Sequence, residues 1–302
     1  MDTTELAAPF ERMLEELCPP AAVRAVEAGD AGAAQVMWAG IAASGFLDAL
    51  VPEARRGAGL ALADIAPLLI ALGRHAVPLP VGQTMLARSW LPAPPEGPIA
   101  LATPEAGIAG TEPFALATDH VLVVERSGLS IAGAPGGAHT LPPGAGLHLA
   151  ALIAAAAIAG AGERVLAMAI DHANIRVQFG KPVGRQQAVQ HMLAVMAEQV
   201  VAVRLAVEQA CAMPSLAACA AAKAVASAAA ADIAEAAHAV IGAIGISAEH
   251  DLHLYTRRLH AMRLAHGSES HWQRVLGALR LASDAPSVDW MRAEIFGEAG
   301  AR

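Results

Sequence analysis

The chain has 302 residues, enough for one large or two to three small domains with a substantial core. It is 55% hydrophobic and 16% charged, with a net charge of −8 and a mean hydropathy of +0.45. The acidity, without a basic stripe, argues against a nucleic-acid partner, and much of the apolar excess is alanine, a helix former rather than a membrane signal.

Behind Met1 no basic segment leads into an apolar core, so no signal peptide is expected. Residues 10–17 are amphipathic and stop at Pro19-Pro20. A second helix is predicted over 35–47, with Gly45 near its end, and a third over 62–72, followed by Gly73-Arg74-His75. Between them Val51-Pro52-Glu53 and Gly57-Ala58-Gly59-Leu60 read as a loop. Residues 92–146 are rich in Pro and Gly. β-like runs at 99–102, 114–117, 120–124 and 129–131 suggest a small sheet.

From Gly146 to about Arg280 the pattern is that of a helical bundle, with helices over 147–175, 185–212 and 215–241. The apolar run at 149–162 is shorter than the ~20 residues a bilayer span needs, so it reads as buried helix, not a membrane span. The helix over 215–241 is almost pure small residues and must pack closely against its neighbours. Cys18, Cys211 and Cys219 have no metal spacing; the last two read as small core residues, and the cytoplasm is the simplest compartment. A tail from Ser283 carries Pro286, with a short helix at 289–296.

The stretch around which the chain is organised runs from Arg176 to Gln187. Phe179-Gly180-Lys181-Pro182 breaks the preceding helix. The break is expected to gather a guanidinium (Arg176), a buried-type aromatic (Phe179) and an amide (Gln187) at a helix–helix corner. Arg offers a planar fork of donors that suits a phosphate, and Gln187 in a first helical turn lies near N–H groups that favour anions. A blander reading has Arg176 capping a helix end and Gln187 as a surface amide.

Arg176-Val177-Gln178-Phe179-Gly180-Lys181-Pro182-Val183, closely followed by Gln187, resembles the signature of the C-terminal helical domain of acyl-CoA dehydrogenases. Gly45, Val51-Pro52-Glu53, Gly57, Gly59 and Leu72-Gly73-Arg74 are similar to the passage in that family's N-terminal domain. The resemblance implies a mainly α fold. It would comprise an N-terminal helical domain (1–95), a reduced middle β-sheet domain (96–145), a C-terminal four-helix bundle (146–282) and a tail (283–302). It also implies that Arg176, Phe179 and Gln187 contact an FAD shared across a subunit interface. The family's Q-x-x-G-G-x-G passage corresponds to residues 239–245. Gly242 and Gly245 remain as cofactor-approach positions, while Ala239 and Ala243 replace the Gln and the second Gly. The following Glu249-His250-Asp251-Leu252-His253, with Asp251 expected to cap a helix, is similar to the version in acyl-CoA dehydrogenases of steroid side-chain degradation. Its histidines suggest no metal site.

Catalysis in this family needs a carboxylate that takes the α-proton while the flavin takes hydride. One position for it corresponds to His266, in Ala265-His266-Gly267-Ser268, and the other to Ala150. Neither is a carboxylate. His266 and nearby Glu269 are the remaining candidates for a base. The middle-domain stretch that cradles the flavin ring has only a superficial echo at Thr111-Glu112-Pro113. The resemblance therefore implies the smaller subunit of a heteromeric acyl-CoA dehydrogenase, whose larger partner supplies the base, the flavin pocket and the acyl-CoA substrate site. An active homo-oligomeric enzyme and a non-enzymatic scaffold of the same fold are the competing readings.

Overall fold

The computed structural model describes residues 3–104, 118–125, 128–132, 140 and 146–297. Five helices come first: α1 (Thr3–Leu17), α2 (Pro20–Glu27), α3 (Ala31–Ala43), α4 (Leu62–Arg74) and α5 (Val81–Trp90). A three-stranded sheet follows, with β1 (Ile99–Ala102), β2 (His120–Glu125) and β3 (Gly128–Ile131). The long helices α6 (Leu147–Ile175), α7 (Gln187–Ala212) and α8 (Leu216–Ile241) form the bundle with α9 (Leu252–Leu264) and α10 (Glu269–Leu281). A short hairpin, β4 (Val177–Gln178) and β5 (Lys181–Pro182), joins α6 to α7, and α11 (Ser287–Glu294) ends the described chain.

Local chemistry sets several boundaries that differ from the sequence expectation. The second helix starts at Ala31, not 35, because the Asp30 side chain accepts the Ala33 N–H at 3.0 Å. It stops at Ala43, since Gly45 turns with φ 81 into a 3-10 turn over Phe46–Asp48. Helix α2 begins with proline at its first turn, where a missing N–H costs nothing. Neither it nor α5 was among the predicted helices. The bundle's second helix starts at Gln187 rather than 185, after a 3-10 turn over Val183–Arg185. Asp251 does sit at the N-cap of α9, but its side chain makes no cap; its carboxylate is drawn off into an ion pair with Arg24 on α2. The predicted run at 114–117 and Thr111-Glu112-Pro113 lie outside the described residues.

Helix α6 is the axis of the molecule. It packs against α4, α7, α8 and α9, and its first half is nearly all buried. Helices α6 and α8 are long and apolar enough to cross a bilayer, but 78% and 67% of their apolar windows are buried inside the protein. Those faces are therefore spent on the core. The free thiols of Cys18 and Cys211 lie in that core, where burial pushes both up to about 12.

β1 pairs parallel with β2, which pairs antiparallel with β3. The open edge of β1 is covered by α5. Buried Thr84 Oγ1 accepts the Ile99 N–H (2.9 Å) and donates to the Ile99 carbonyl (3.2 Å), while Gln83 Oε1 accepts the Leu101 N–H (2.6 Å). Two side chains thus substitute for a neighbouring strand and satisfy edge groups that burial would otherwise penalise.

Candidate functional site

At the end of α6, Arg176 leaves the helix with extended backbone. Val177 then pairs with Pro182, and Gln178 with Lys181. The two residues between them, Phe179 and Gly180, have φ 54 and φ 76. Positive φ at both central positions is the geometry of a tight type I′ hairpin turn, whose twist matches that of its strands. Glycine takes it freely, whereas Phe179 takes it at a cost. The consequence corrects the sequence reading: Phe179 is not buried but 89% exposed at the hairpin tip.

Between the hairpin, the start of α7 and the end of α8 lies an open groove of about 470 Å³. Its polar lining is His172, Arg176, Gln178 and Gln186. Phe179, Val183, Val189 and residues 239–244 supply the remainder. The two motifs singled out in the sequence, some sixty residues apart, therefore face one another. None of the four polar side chains bonds to another described residue, and no carboxylate lines the groove. Gln186, at the N-cap of α7, makes no side-chain cap, so first-turn N–H groups are also open.

Two predicted members are placed differently. Gln187, the first residue of α7, is exposed and does not line the groove; its neighbour Gln186 does. A helix turns about 100° per residue, so neighbouring side chains at its start face different directions, and only Gln186 faces the groove. Gly245 is also absent from the lining. A Cβ there would come within 2.9 Å of Leu252 Cδ2, so this glycine serves packing against α9. Gly242 does line the groove, with φ 76 and nothing within 4 Å of where its Cβ would be. Sequence reasoning missed His172, although its spacing one turn before Arg176 on α6 was a usable signal.

A guanidinium fork, two amides, an imidazole and open helix N–H groups, free of any acidic neighbour in the lining, fit a diphosphate. The same residues include no carboxylate to take an α-proton. Ala150 is fully buried on α6. His266 is 4% exposed, its backbone at φ 56, with Nδ1 3.0 Å from Thr103 Oγ1 and its carbonyl accepting from Trp272 Nε1 at 2.9 Å. Glu269, first in α10, is clasped by both ends of the Arg263 guanidinium, which holds its carboxyl below the ordinary glutamate range. The mostly apolar pocket between α4, α5, α6 and α9 is about 40 Å³, room for a water or two and far below the several hundred Å³ of an acyl site. Among the described residues no three His, Cys, Asp or Glu side chains converge as a metal site.

The profile for the acyl-CoA dehydrogenase C-terminal domain matches residues 144–280. Acyl-CoA dehydrogenase IpdE2 of Mycobacterium tuberculosis is 31% identical over 271 residues, covering 80% of this chain and 85% of that one. Acyl-CoA dehydrogenase FadE34 of the same organism is 31% identical over 331 residues, covering 89% of this chain but 46% of its own length. Among solved structures, a chain of the ChsE4-ChsE5 complex from Mycobacterium tuberculosis superposes with a TM-score of 0.75 at 20% identity, over 94% of this chain and 98% of that one. A chain of the Tcur3481-Tcur3483 steroid ACAD gives 0.79 at 23% identity, over 93% and 99%. The helical bundle, the small sheet and these similarities agree with the motif at Arg176: the chain belongs to the acyl-CoA dehydrogenase family.

Proposed function

We propose that this chain is the non-catalytic, FAD-contacting subunit of a heteromeric acyl-CoA dehydrogenase that forms a double bond between Cα and Cβ of an acyl-CoA thioester. The observation that carries the reading is the groove: a phosphate-suited donor set, bonded to no other described residue, on a face edged with exposed apolar groups. Phe179 and Ile244, which line the groove, are exposed, as are Ile175, Val177 and Ile246 on the segments that flank it. Apolar side chains gathered at the edge of a polar groove suit a protein partner.

In this reading Arg176 and Gln186 hold the diphosphate of an FAD seated mainly in the larger subunit, and Phe179 reaches over the boundary as an anchor. The backbone at Gly242 leaves room for the adenosine end. The flavin supplies the hydride acceptor. The partner supplies the carboxylate and the acyl-CoA site, since here Ala150 and His266 stand where the family resemblance implies an acid group. Two of the similar solved structures, ChsE4-ChsE5 and Tcur3481-Tcur3483, pair two differently named chains and the second is a steroid ACAD, which favours a steroid-derived acyl chain in a two-chain assembly. The buried free thiols suit the cytoplasm.

The test is co-expression with a full-length acyl-CoA dehydrogenase encoded alongside, followed by a flavin absorbance scan. The lone chain is expected to be nearly colourless and the complex yellow and active. Arg176→Gln in this chain should lower flavin retention by the complex about tenfold or more, the value of one charge-assisted bidentate contact. A lone preparation that oxidises a thioester in a Glu269- or His266-dependent manner would overturn the proposal.

A further inference from the structure

Among the described residues, two ionisable side chains line the groove, and one of them has no counterpart in the motif. His172 sits in the last turn of α6, its carbonyl accepting the N–H of the C-cap Arg176 at 2.8 Å, and both side chains border the same groove. Its imidazole, like the guanidinium, bonds to no described residue. We propose that His172 is a second contact for a diphosphate in this groove, acting beside Arg176. The inference rests on reading the groove as the site of a dinucleotide diphosphate.

The surroundings fix the state of this histidine. The charged groups facing it are His250, from the turn before α9, and Arg176 on its own helix. Partial burial, with His250 and Arg176 adding like charge, holds the imidazole below the ordinary histidine value. Without a ligand it is neutral near pH 7. A diphosphate brings negative charge to the same space and reverses the balance, so binding takes up a proton at His172. The sign follows: affinity rises as pH falls towards the histidine range, and the bound anion raises the His172 value. A neutral imidazole still offers one N–H donor, so binding weakens at higher pH without vanishing.

The experiment uses the full chain and ADP-ribose, whose diester diphosphate keeps a constant charge over this range. Binding is measured by calorimetry at about pH 6 and about pH 8 at low salt, and the His172 ring is followed by NMR. Wild type is expected to bind about fivefold tighter at the lower pH, within the tenfold that one charge-assisted bond can supply. ADP-ribose should shift the His172 titration upward. His172→Gln should flatten the pH dependence, and His250→Gln should leave it in place. If His172→Gln keeps the wild-type pH dependence while Arg176→Gln loses binding, the role of His172 is overturned and the groove reading stands. If ADP-ribose at millimolar concentration, where contacts too weak to retain a flavin through purification still register, fails to bind, or binds Arg176→Gln as well as wild type, the groove reading fails and the His172 proposal with it.

Discussion

Lys223 carries an ammonium group into the centre of the bundle. It is 0% exposed, and its Nζ donates to Ser227 Oγ (2.7 Å) and to the carbonyls of Met262 (2.7 Å) and Arg263 (3.0 Å). Those carbonyls belong to the last turn of α9, where intrahelical donors run out and the helix dipole favours a cation. The turn that follows holds His266, so Lys223 fixes the geometry of the α9–α10 corner from below. Lys223→Met fills similar volume but takes the ammonium donor from the buried Met262 carbonyl, while the Arg263 carbonyl keeps Ser227 Oγ at 3.1 Å. It should cost about 2–3 kcal/mol, read as a lower urea midpoint at unchanged slope. A loss below about 0.5 kcal/mol would mean the carbonyls find other donors.

Elements in this molecule meet through missing side chains as much as through present ones. Where α4 crosses α6, a Cβ on Gly160 would lie 1.8 Å from the Ile70 carbonyl oxygen, and one on Gly73 would lie 2.1 Å from that of Ala157. Backbone stands against backbone on both sides of the crossing, so neither glycine can gain a methyl unless the helices part. Gly160→Ala should lower stability by about 3 kcal/mol or more. Gly277 on α10 is the control, because nothing lies within 4 Å of its added Cβ. Gly277→Ala should stabilise by about 0.5–1 kcal/mol through helix propensity alone. Thermal melts of the two variants should move in opposite directions, and equal shifts would refute the close crossing. Helix α2 is tied to α9 differently. Glu27 accepts from Arg258 Nη1 at 2.8 Å and also pairs with Arg257, while Arg24 pairs with Asp251. Burial pushes the Arg258 guanidinium down to about 10, and it still remains charged at neutral pH beside Glu27.

For the whole molecule, pH dependence follows from groups whose folded values are lowered. Burial, reinforced by neighbouring positive groups, lowers His172, His238 and His271. The unfolded chain binds protons at these sites first, so stability present above the ordinary histidine value of about 6.5 is lost as pH falls below it. Glu269 acts in the same direction at lower pH. Its contribution is present above the unfolded glutamate value and is lost as pH falls through the folded one. The melting temperature should therefore decline in two stages on acidification, the first below about pH 6.5 and the second below about pH 4.5. A flat profile between about pH 7 and 5 would contradict the histidine assignments. An anion bound at His172 would oppose the first stage, so ADP-ribose should blunt it.

The mainly helical fold, the long helix over 147–175 and the strands at 99–102, 120–124 and 129–131 were legible in sequence. Each is set by local signals: apolar spacing, β-branched runs, and Pro or Gly at the ends. The motif from Arg176 to Val183 identified the family for the same reason, being one contiguous stretch. Tertiary structure alone decided which of its residues share a space. The groove joins the α6–α7 corner to the end of α8, and the packing of those helices, not any local preference, sets Gln186 rather than Gln187 against residues 239–244. Packing likewise buries Lys223 under α9 and commits Gly245 to the core. Local propensity acts over a few residues, whereas burial and charge depend on neighbours tens to hundreds of positions away in the chain, and those neighbours are assembled only when the helices pack.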